Sequence, residues 1–327
     1  MKAIVITKAG GPEVLALREV PTPEPGAGEI LVRVHAAGIN RADVLQRIGQ
    51  YPAPPGAPAD VPGLEYAGEV AALGVGSEGW KVGDRVMGLV PAGGYAEYVT
   101  VHEAVALRMP VAWSFEQAAA VPEAFITAHD ALVRQLGLRP GETVLIHAVG
   151  SGVGTAAVQL VRAYGARAFG TSRSPQKLER ARSLGLEVGI DSGREDFAQV
   201  VRRHTDGAGV DVVLDLVGAP LLAGSIQALA RGGRMIVVGL TGGRSAPLDL
   251  GAVLSKRLTI VGTVLRARTL AEKINVTAHF AAEVMPLLEG GIVRPVVERH
   301  FPLADAAAAH RHLESNDVFG KLVLTCA

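Results

Sequence analysis

Short apolar runs alternate with helical repeats through the middle of the chain. Val144-Leu145-Ile146 is typical of a buried strand, and residues 155–164 then carry apolar side chains at helical spacing. The same alternation predicts strands at 167–171, 188–191, 210–217, 234–240 and 258–264, helices at 174–184 and 197–204, and a helix that Pro220 opens and Gly232-Gly233 ends. Six strands separated by helices indicate an α/β fold with a doubly wound parallel sheet.

The two ends of the chain have a different pattern. Extended segments are predicted at 30–34, 66–71, 85–89 and 96–101, between turns rich in glycine and proline. After about Arg266 the pattern is helical, then extended at 295–300, helical at 304–313 and extended at 321–325. Because this tail is too small for its own core, we expect it to complete the N-terminal part. The predicted domains are a discontinuous β-rich one, 1–122 with 267–327, and a nucleotide-binding one, 123–266.

A glycine-rich turn joins the first strand of the central pattern to its first helix. It reads Gly150-Ser151-Gly152-Val153-Gly154. Glycine lets the backbone approach a pyrophosphate, and the free N–H groups at a helix N-terminus stabilise the negative charge. Glycine is also common in turns that bind nothing. The flanking strand and helix therefore carry the inference that this is a Rossmann dinucleotide site.

The residues that select between NADH and NADPH follow about 20 positions after the turn. NAD-binding units usually place a carboxylate there, whereas this chain has Ser172, Arg173 and Ser174, with Lys177 one turn into the next helix. Cations and hydroxyls suit the 2′-phosphate of NADPH, which is the predicted cofactor. The alternative is that Arg173 and Lys177 only form the solvated face of a helix.

Composition narrows the class of protein. The 327 residues include 32 Lys and Arg against 32 Asp and Glu, so no net charge attracts nucleic acid or an acidic membrane. The single cysteine, Cys326, excludes an internal disulfide. No apolar run reaches the roughly 18 residues of a membrane span, and Met1 to Lys8 does not resemble a signal peptide. We predict a cytoplasmic enzyme.

Several motifs resemble the medium-chain dehydrogenase/reductase superfamily. They are residues 38–43, 63–70 and 83–86. Within that superfamily, residues 40–43, Gly49-Gln50-Tyr51 and His147-Ala148 are similar to the zinc-free quinone oxidoreductases, which include zeta-crystallin. Residues 151–157 and Leu265-Arg266 are similar to the tumour-suppressor-inducible branch of that family. Val149 and Ser151 depart from the wider family, where small residues and glycine are usual, so the phosphate turn should be slightly altered.

The resemblance implies a GroES-like catalytic domain beside the Rossmann domain, and reduction of a quinone by NADPH. Reduction of α,β-unsaturated carbonyls or acrylates is the enzymatic alternative. A third possibility is an NADPH-binding RNA-binding or crystallin-like protein, although the sequence has no basic stripe or aromatic-glycine RNA motif. The resemblance also implies a homodimer that pairs edge strand 258–264, because an uncovered edge is a template for pairing.

The sequence predicts no metal site. A catalytic zinc takes three protein ligands, and where alcohol dehydrogenases carry Gly-His-Glu this chain has Gly63-Leu64-Glu65. His35 and His102 are expected at the surface or packed, and Glu65 is expected to be hydrogen-bonded rather than a ligand. Without a metal to stabilise an oxyanion, a substrate that disperses charge itself, such as a quinone or an enone, is favoured.

Candidate site residues follow from the motif positions. Asn40 is expected near the nicotinamide, although it could be a turn residue, and Tyr51 either covers the substrate or only packs. His147 is expected to be a core histidine. The predicted cofactor-binding residues are Thr127, Gly150, Ser151, Gly152, Val153, Gly154, Ser172, Arg173, Lys177, Gly239, Leu240, Leu265, Arg266, Phe319 and Lys321. No general acid is evident, and water is a possible proton source.

Overall fold

A computed structural model describes residues 1–326. The strands are β1 (Lys2–Ile6), β2 (Leu15–Glu19), β3 (Glu29–Ile39), β4 (Glu65–Leu73), β5 (Arg85–Leu89), β6 (Tyr98–His102), β7 (Ala106–Arg108), β8 (Thr143–Ile146), β9 (Arg167–Ser172), β10 (Leu186–Asp191), β11 (Val210–Asp215), β12 (Leu229–Val237), β13 (Thr259–Gly262), β14 (Val297–Pro302) and β15 (Lys321–Thr325). 

The α-helices are α1 (Arg41–Arg47), α2 (Phe115–Ala119), α3 (Thr127–His129), α4 (Gly152–Ala163), α5 (Pro175–Arg182), α6 (Phe197–His204), α7 (Leu222–Ala228), α8 (Leu250–Lys256), α9 (Leu270–Glu283), α10 (Met285–Glu289) and α11 (Ala306–Glu314). Short 3₁₀ turns occur at Pro12–Val14, Glu103–Val105, Ala219–Leu221 and Leu303–Asp305, and π-helical turns at Pro122–Ile126 and Asp130–Gln135. None of the helices within residues 1–326 is long and apolar enough to cross a membrane.

The chain divides into two compact units. The terminal unit comprises Met1–Ile126, Leu265–Glu289 and the residues from Pro295 onward, and the central unit comprises Thr127–Val264 and Gly290–Arg294. The boundaries expected from sequence lay at 122/123 and 266/267, so the observed divisions differ by a few residues. The assignment of residues 290–294 to the central unit was not predicted, because five residues are too few to produce a recognisable hydrophobic pattern.

The terminal unit is built on a sheet of mostly antiparallel strands. Its order is β14-β15-β3-β4-β5-β7, with β6 also paired to β3, and β1 and β2 form a separate pair. Strand β3 alternates buried Ile30, Val32 and Val34 with more exposed residues, as expected for a strand with one face on a core. Strand β15 pairs with β3 in antiparallel register, with Leu322 opposite Ile39. The end of the chain therefore completes the sheet begun near its start.

The central unit contains the predicted doubly wound sheet, which is confirmed. Its six parallel strands have the order β10-β9-β8-β11-β12-β13. The inner strand β8 is buried along its whole length, which explains its unbroken apolar sequence. The order reverses between β8 and β11, and ligands bind at such a switch point, beyond the carboxyl ends of the strands.

One sequence-predicted element is wrong. The helix expected to end at Gly232-Gly233 ends at Ala228, and the two glycines lie inside β12. Gly232 has a φ of 75°, and the register between β11 and β12 shifts between Val210 and Val212. The glycine pair therefore forms an irregularity within a strand instead of a helix end. The structure also contains short elements that were not predicted, namely strands β1, β2 and β7 and helices α1, α2, α3 and α8.

Candidate active site

The glycine turn of the central unit links β8 to α4. Ser151 is the N-cap of α4, and its Oγ accepts a hydrogen bond from the Gly154 N–H at 3.1 Å. A Cβ at Gly154 would lie 2.5 Å from the Ala148 oxygen, so only glycine fits there. The first turn of a helix leaves backbone N–H groups without intrahelical acceptors. The predicted turn residues Gly150 to Gly154 thus surround a helix N-terminus that can receive an anion.

Three predicted residues lie together where β9 ends and α5 begins. Ser172 is the last residue of β9, Arg173 is exposed, and the Lys177 N–H donates to Ser174 Oγ at 3.4 Å. A Cβ at Gly150 would lie 2.8 Å from Lys177 Cδ, so the lysine side chain crosses the glycine turn. Among residues 1–326, the Arg173 guanidinium has no hydrogen-bonded or ionic partner. The structure therefore brings two cations and a hydroxyl to the edge where a dinucleotide would bind.

Other predicted cofactor residues of the central unit lie at separate positions. Gly239 follows β12, and its N–H donates to the Asp215 carbonyl at 3.2 Å. The neighbouring Leu240 is about half exposed. Thr127 is buried at the start of α3. Gly239 and Leu240 follow the carboxyl end of β12, and their role in cofactor binding stays a prediction.

His147 lies directly after β8 and is fully buried. Its Nε2 is 2.9 Å from Ser225 Oγ, and its Nδ1 is 2.9 Å from Thr171 Oγ1. Ser225 Oγ donates to the Leu221 carbonyl, so it accepts from His147 Nε2–H, and Thr171 donates to Nδ1. Burial lowers the pKa of His147 to about 3. The side chain is thus a neutral, hydrogen-bonded core histidine.

In the terminal unit, the buried Glu65 and Lys321 form a cluster with the half-buried Asn40. Lys321 Nζ donates to Glu65 Oε1 at 2.6 Å, to Asn40 Oδ1 at 2.6 Å and to the Ile39 carbonyl at 2.9 Å. Asn40 Nδ2 donates to the same Glu65 oxygen at 2.8 Å. A Cβ at Gly38 would lie 2.1 Å from that oxygen, so the glycine makes room for the carboxylate. All three donors of the Lys321 ammonium are engaged inside the protein.

Arg266 is also engaged within the terminal unit. Its guanidinium donates to the Pro91 carbonyl at 2.6 Å, the Tyr51 carbonyl at 2.9 Å and Gln46 Oε1 at 2.5 Å. It also lies 5.0 Å above the Tyr51 ring, a cation–π distance. Burial raises the pKa of Tyr51 and lowers that of Arg266. Arg266 thus fixes the loop that carries Tyr51, and its predicted contact with a cofactor stays a prediction.

A second buried chain of polar groups runs behind α1. Arg47 donates to Glu314 at 2.7 and 2.9 Å and to His310 Nδ1 at 3.2 Å, so His310 carries its proton on Nε2. That N–H donates to the Tyr95 oxygen at 3.2 Å, and the Tyr95 hydroxyl donates to Asp43 at 2.9 Å. Burial lowers the pKa of His310 to about 3 and raises that of Asp43 to about 6. These bonds hold α1, which begins directly after Asn40.

Two further predicted cofactor residues, Phe319 and Leu265, belong to the terminal unit. Phe319 is buried, and its N–H donates to the Glu298 carboxylate. Leu265 is half-buried and lines the cavity described next. Neither position by itself indicates a contact with cofactor, so both assignments stay predictions.

The terminal unit encloses a cavity of about 740 Å³. Its walls are mostly apolar, and Glu123, Arg266, Lys273 and Asp60 add charge. A large apolar pocket with a few convergent polar groups is typical of a small-molecule site. The sequence interpretation missed Glu123. The available signal was a single carboxylate inside the apolar run 118–126.

The comparisons with known proteins agree with this architecture. Residues 26–111 match the alcohol dehydrogenase GroES-like domain, and residues 152–281 match the family described as zinc-binding dehydrogenase. The quinone oxidoreductase of Pseudomonas aeruginosa is 37% identical over 99% of this chain and 99% of its own, and that of Homo sapiens is 30% identical over 99% and 97%. The chain belongs to the quinone oxidoreductases. The predicted superfamily, GroES-like domain and oxidoreductase class are confirmed, and the tumour-suppressor-inducible branch stays a prediction.

Solved structures of related proteins superpose closely on this chain. A quinone oxidoreductase of Escherichia coli complexed with NADPH has a TM-score of 0.90 and 33% identity, covering 99% of this chain and 100% of that chain. An NAD-dependent alcohol dehydrogenase has a TM-score of 0.90 and 37% identity over 100% of both chains. The CurK enoyl reductase has a TM-score of 0.88 and 28% identity over 100% and 99%. The same fold is thus used by relatives that differ in their named cofactors and reactions.

The residues present do not fit the zinc that one family description names. Leu64 has no ligating atom, and the Glu65 carboxylate accepts from Asn40, Lys321 and the Glu123 N–H. Within residues 1–326 no group of three or more His, Cys, Asp and Glu side chains is arranged to hold a metal ion. A catalytic zinc needs three such ligands. No chemical step is therefore assigned to a metal.

Proposed function

We propose that this protein transfers a hydride from NADPH to a quinone. The observation that carries the cofactor choice is the exposed Arg173, which has no protein partner among residues 1–326 and lies between Ser172 and α5. NADH-binding units carry a carboxylate in that region. A 2′-phosphate would supply the missing partner through a charge-assisted hydrogen bond.

The central unit has the groups that such a cofactor requires. The turn from Gly150 to Gly154 and the N-terminus of α4 would hold the pyrophosphate, and Ser172, Arg173 and Lys177 would hold the 2′-phosphate. When bound, NADPH supplies the hydride. NADPH-bound relatives of this fold support the assignment.

A quinone suits the chemistry of the terminal unit. Hydride delivery to a simple ketone creates an oxyanion that a metal or strong donor must stabilise. A quinone disperses this charge over its ring, so the protein has mainly to position it. The apolar cavity of about 740 Å³ has a volume suited to a planar ring system.

An enone or enoyl thioester is the second candidate substrate. The likeness to the CurK enoyl reductase favours it, together with the presence of Glu123 among the residues that line the cavity. The two substrate classes share hydride addition and differ in where the proton goes afterwards. Cytoplasmic localisation remains a prediction.

We also propose a C2 dimer through the edge of the central sheet. Strand β13 pairs only with β12 among the described strands. Nearby, α8 exposes Leu250 and Leu254, at 70% and 80% of their surface. An open strand edge beside exposed leucines is a surface that pairing would cover. Light scattering at micromolar concentration should give the mass of a dimer, and Leu254→Lys should shift the mass toward the monomer. A monomeric unmodified protein would contradict the proposal.

The cofactor assignment is tested by fluorescence titration with NADPH and NADH. We expect NADPH to bind at least about tenfold more tightly, the scale of one charge-assisted contact. Arg173→Ala and Lys177→Ala should each weaken NADPH and leave NADH nearly unchanged. Arg231→Ala, which removes another exposed arginine of the central unit, is the matched control and should change neither constant. Equal affinities for both dinucleotides would refute the assignment. The substrate class is tested separately, by comparing turnover rates with a panel of quinones and enones.

A further inference from the structure

Glu123 occupies an unusual position in the terminal unit. It lies in the π-helical turn Pro122–Ile126, and such turns are rare and frequent at functional sites. Its backbone N–H donates to Glu65 Oε2 at 2.7 Å, which fixes the residue beside the buried cluster. The half-buried side chain lines the cavity, and its carboxyl group has no hydrogen-bond partner among residues 1–326. A partner for this carboxyl can therefore come from a molecule in the cavity.

The surroundings of Glu123 hold charges of both signs. Glu65 on β4 and Asp43 on α1 oppose its ionisation, whereas Lys321 on β15 and Arg266 favour it. Burial is the largest influence and, with the two carboxylates, raises the pKa of Glu123 to about 8. Most molecules therefore carry the protonated acid at neutral pH. A general acid is most effective when its pKa lies near the working pH.

We propose that Glu123 is the proton donor of the reduction; this inference rests on the proposed function. Hydride transfer develops negative charge on a quinone oxygen, and the Glu123 proton is transferred to that oxygen in the same step. The Glu123 O–H bond breaks, an O–H bond forms on the substrate, and the carboxylate keeps the electron pair. Water then returns one proton to Glu123. The sum is quinone, NADPH and one proton giving hydroquinone and NADP⁺.

The same residue serves the second substrate class. Hydride addition to an enone leaves an enolate, and the Glu123 proton would pass to its carbon or oxygen with the same balance of charge. Lys321 and Arg266 would then stabilise the carboxylate that remains. Tyr51 is a poorer donor at neutral pH, because burial raises a phenol pKa that already lies near 10.

The protonation state can be measured without substrate or cofactor. Infrared spectra of the unmodified protein minus those of Glu123→Gln isolate the carbonyl stretch of a protonated carboxylic acid. We expect this band at pH 6 and its loss with a midpoint near 8. A Glu123 that is already ionised at pH 6 would overturn the proposal.

Kinetics test the proton transfer itself. The single-turnover rate of NADPH oxidation at saturating quinone should fall above about pH 8 in the unmodified protein, because the acid is lost. Glu123→Gln should lower the rate at pH 7 by about a hundredfold and remove the pH dependence. Glu123→Asp should restore part of the rate. Glu78→Gln, which removes an exposed carboxylate of the same unit, should behave as the unmodified protein.

The outcomes separate this inference from the proposed function. If the protein reduces quinone rapidly and Glu123→Gln reacts within about twofold of the normal rate, Glu123 is not the proton donor. The proposed function would be unaffected by that result. Failure to reduce any quinone or enone, with the infrared band titrating near pH 8, would refute the proposed function. The folded state of each variant is checked by its thermal midpoint.

Discussion

The two units stabilise their buried polar groups in different ways. The terminal unit buries a full ion pair, that of Lys321 with Glu65, and it buries the Arg47 guanidinium against a partly exposed Glu314. The central unit satisfies His147 with two hydroxyl groups, and the ion pair of Arg234 with Glu142 is only partly buried. Fixed internal charges adjust the proton affinity of a neighbour. The central unit holds its buried Asp215 carboxyl with two backbone N–H groups, and its cations Arg173 and Lys177 lie at the sheet edge, where an anionic ligand would meet them.

The largest effect should come from breaking the buried ion pair of the terminal unit. Lys321→Met leaves the Glu65 carboxylate buried without its cation, and we expect a loss of about 3–5 kcal/mol in the free energy of unfolding. The measurement is urea denaturation at pH 7. The double variant Glu65→Gln with Lys321→Met should lose less, because no unpaired charge remains. Lys81→Met, at an exposed position, is the control and should be near neutral.

The same variant links this pair to the proposed acid. Removing the Lys321 cation should raise the pKa of Glu123 further, and the infrared midpoint should move upward from about 8. An unchanged midpoint together with full stability would show that the two groups are electrostatically independent. Lys321 would then have no part in setting the pKa of Glu123.

A smaller loss is expected from the neutral network of the central unit. His147→Leu removes the acceptor of Thr171 and the donor to Ser225, which should cost about 1–3 kcal/mol. Adding Thr171→Val should recover part of the loss, because both partners are then apolar. Urea denaturation at pH 7 measures both variants. A loss as large as that of Lys321→Met would remove the distinction between the two interiors.

Lowering the pH should reduce the difference in unfolding free energy between the unmodified protein and His147→Leu. The folded-state pKa of His147 is about 3, below the usual value of 6.5, so the unfolded chain binds the proton more tightly. The contribution of His147 is therefore complete above about pH 6.5 and is lost as the pH falls toward 3. The difference in unfolding free energy between the unmodified protein and His147→Leu should shrink over that range. A constant difference would mean that folding does not change the pKa of His147.

The smallest effect is expected from the hydroxyl of Tyr51. Tyr51→Phe keeps the ring beneath Arg266 and the backbone carbonyl that Arg266 contacts, so single-turnover hydride transfer should fall less than about tenfold. Asn40→Ala should cost more, on the order of a hundredfold, because misplacing reacting groups by about 1 Å has that effect. The reverse order would identify Tyr51 as the proton donor. An enone or acrylate would then be the better substrate class.

The local pattern of apolar residues was sufficient to predict the sheet of the central unit, but not the contacts of the candidate active site. Runs such as Val144-Leu145-Ile146 reveal buried parallel strands, because both faces must be apolar. Glycines are ambiguous, which is why Gly232-Gly233 was interpreted as a helix end rather than part of β12. The pairing of Lys321 with Glu65 spans 256 positions, and no local pattern encodes which lysine reaches which carboxylate. The role of Glu123 likewise depends on charges that only the tertiary structure brings together.

The position of β15 has a consequence for the newly made chain. On the ribosome, every residue of the central unit is synthesised before Lys321, so the middle of the sequence can fold first. Glu65 is synthesised 256 residues earlier than Lys321. Its carboxylate therefore has no ion-pair partner until β15 leaves the ribosome. The sheet of the terminal unit also lacks its β15 strand until then, between β14 and β3. The terminal unit, whose first strands are synthesised before the central unit, is therefore the last of the two to complete its fold.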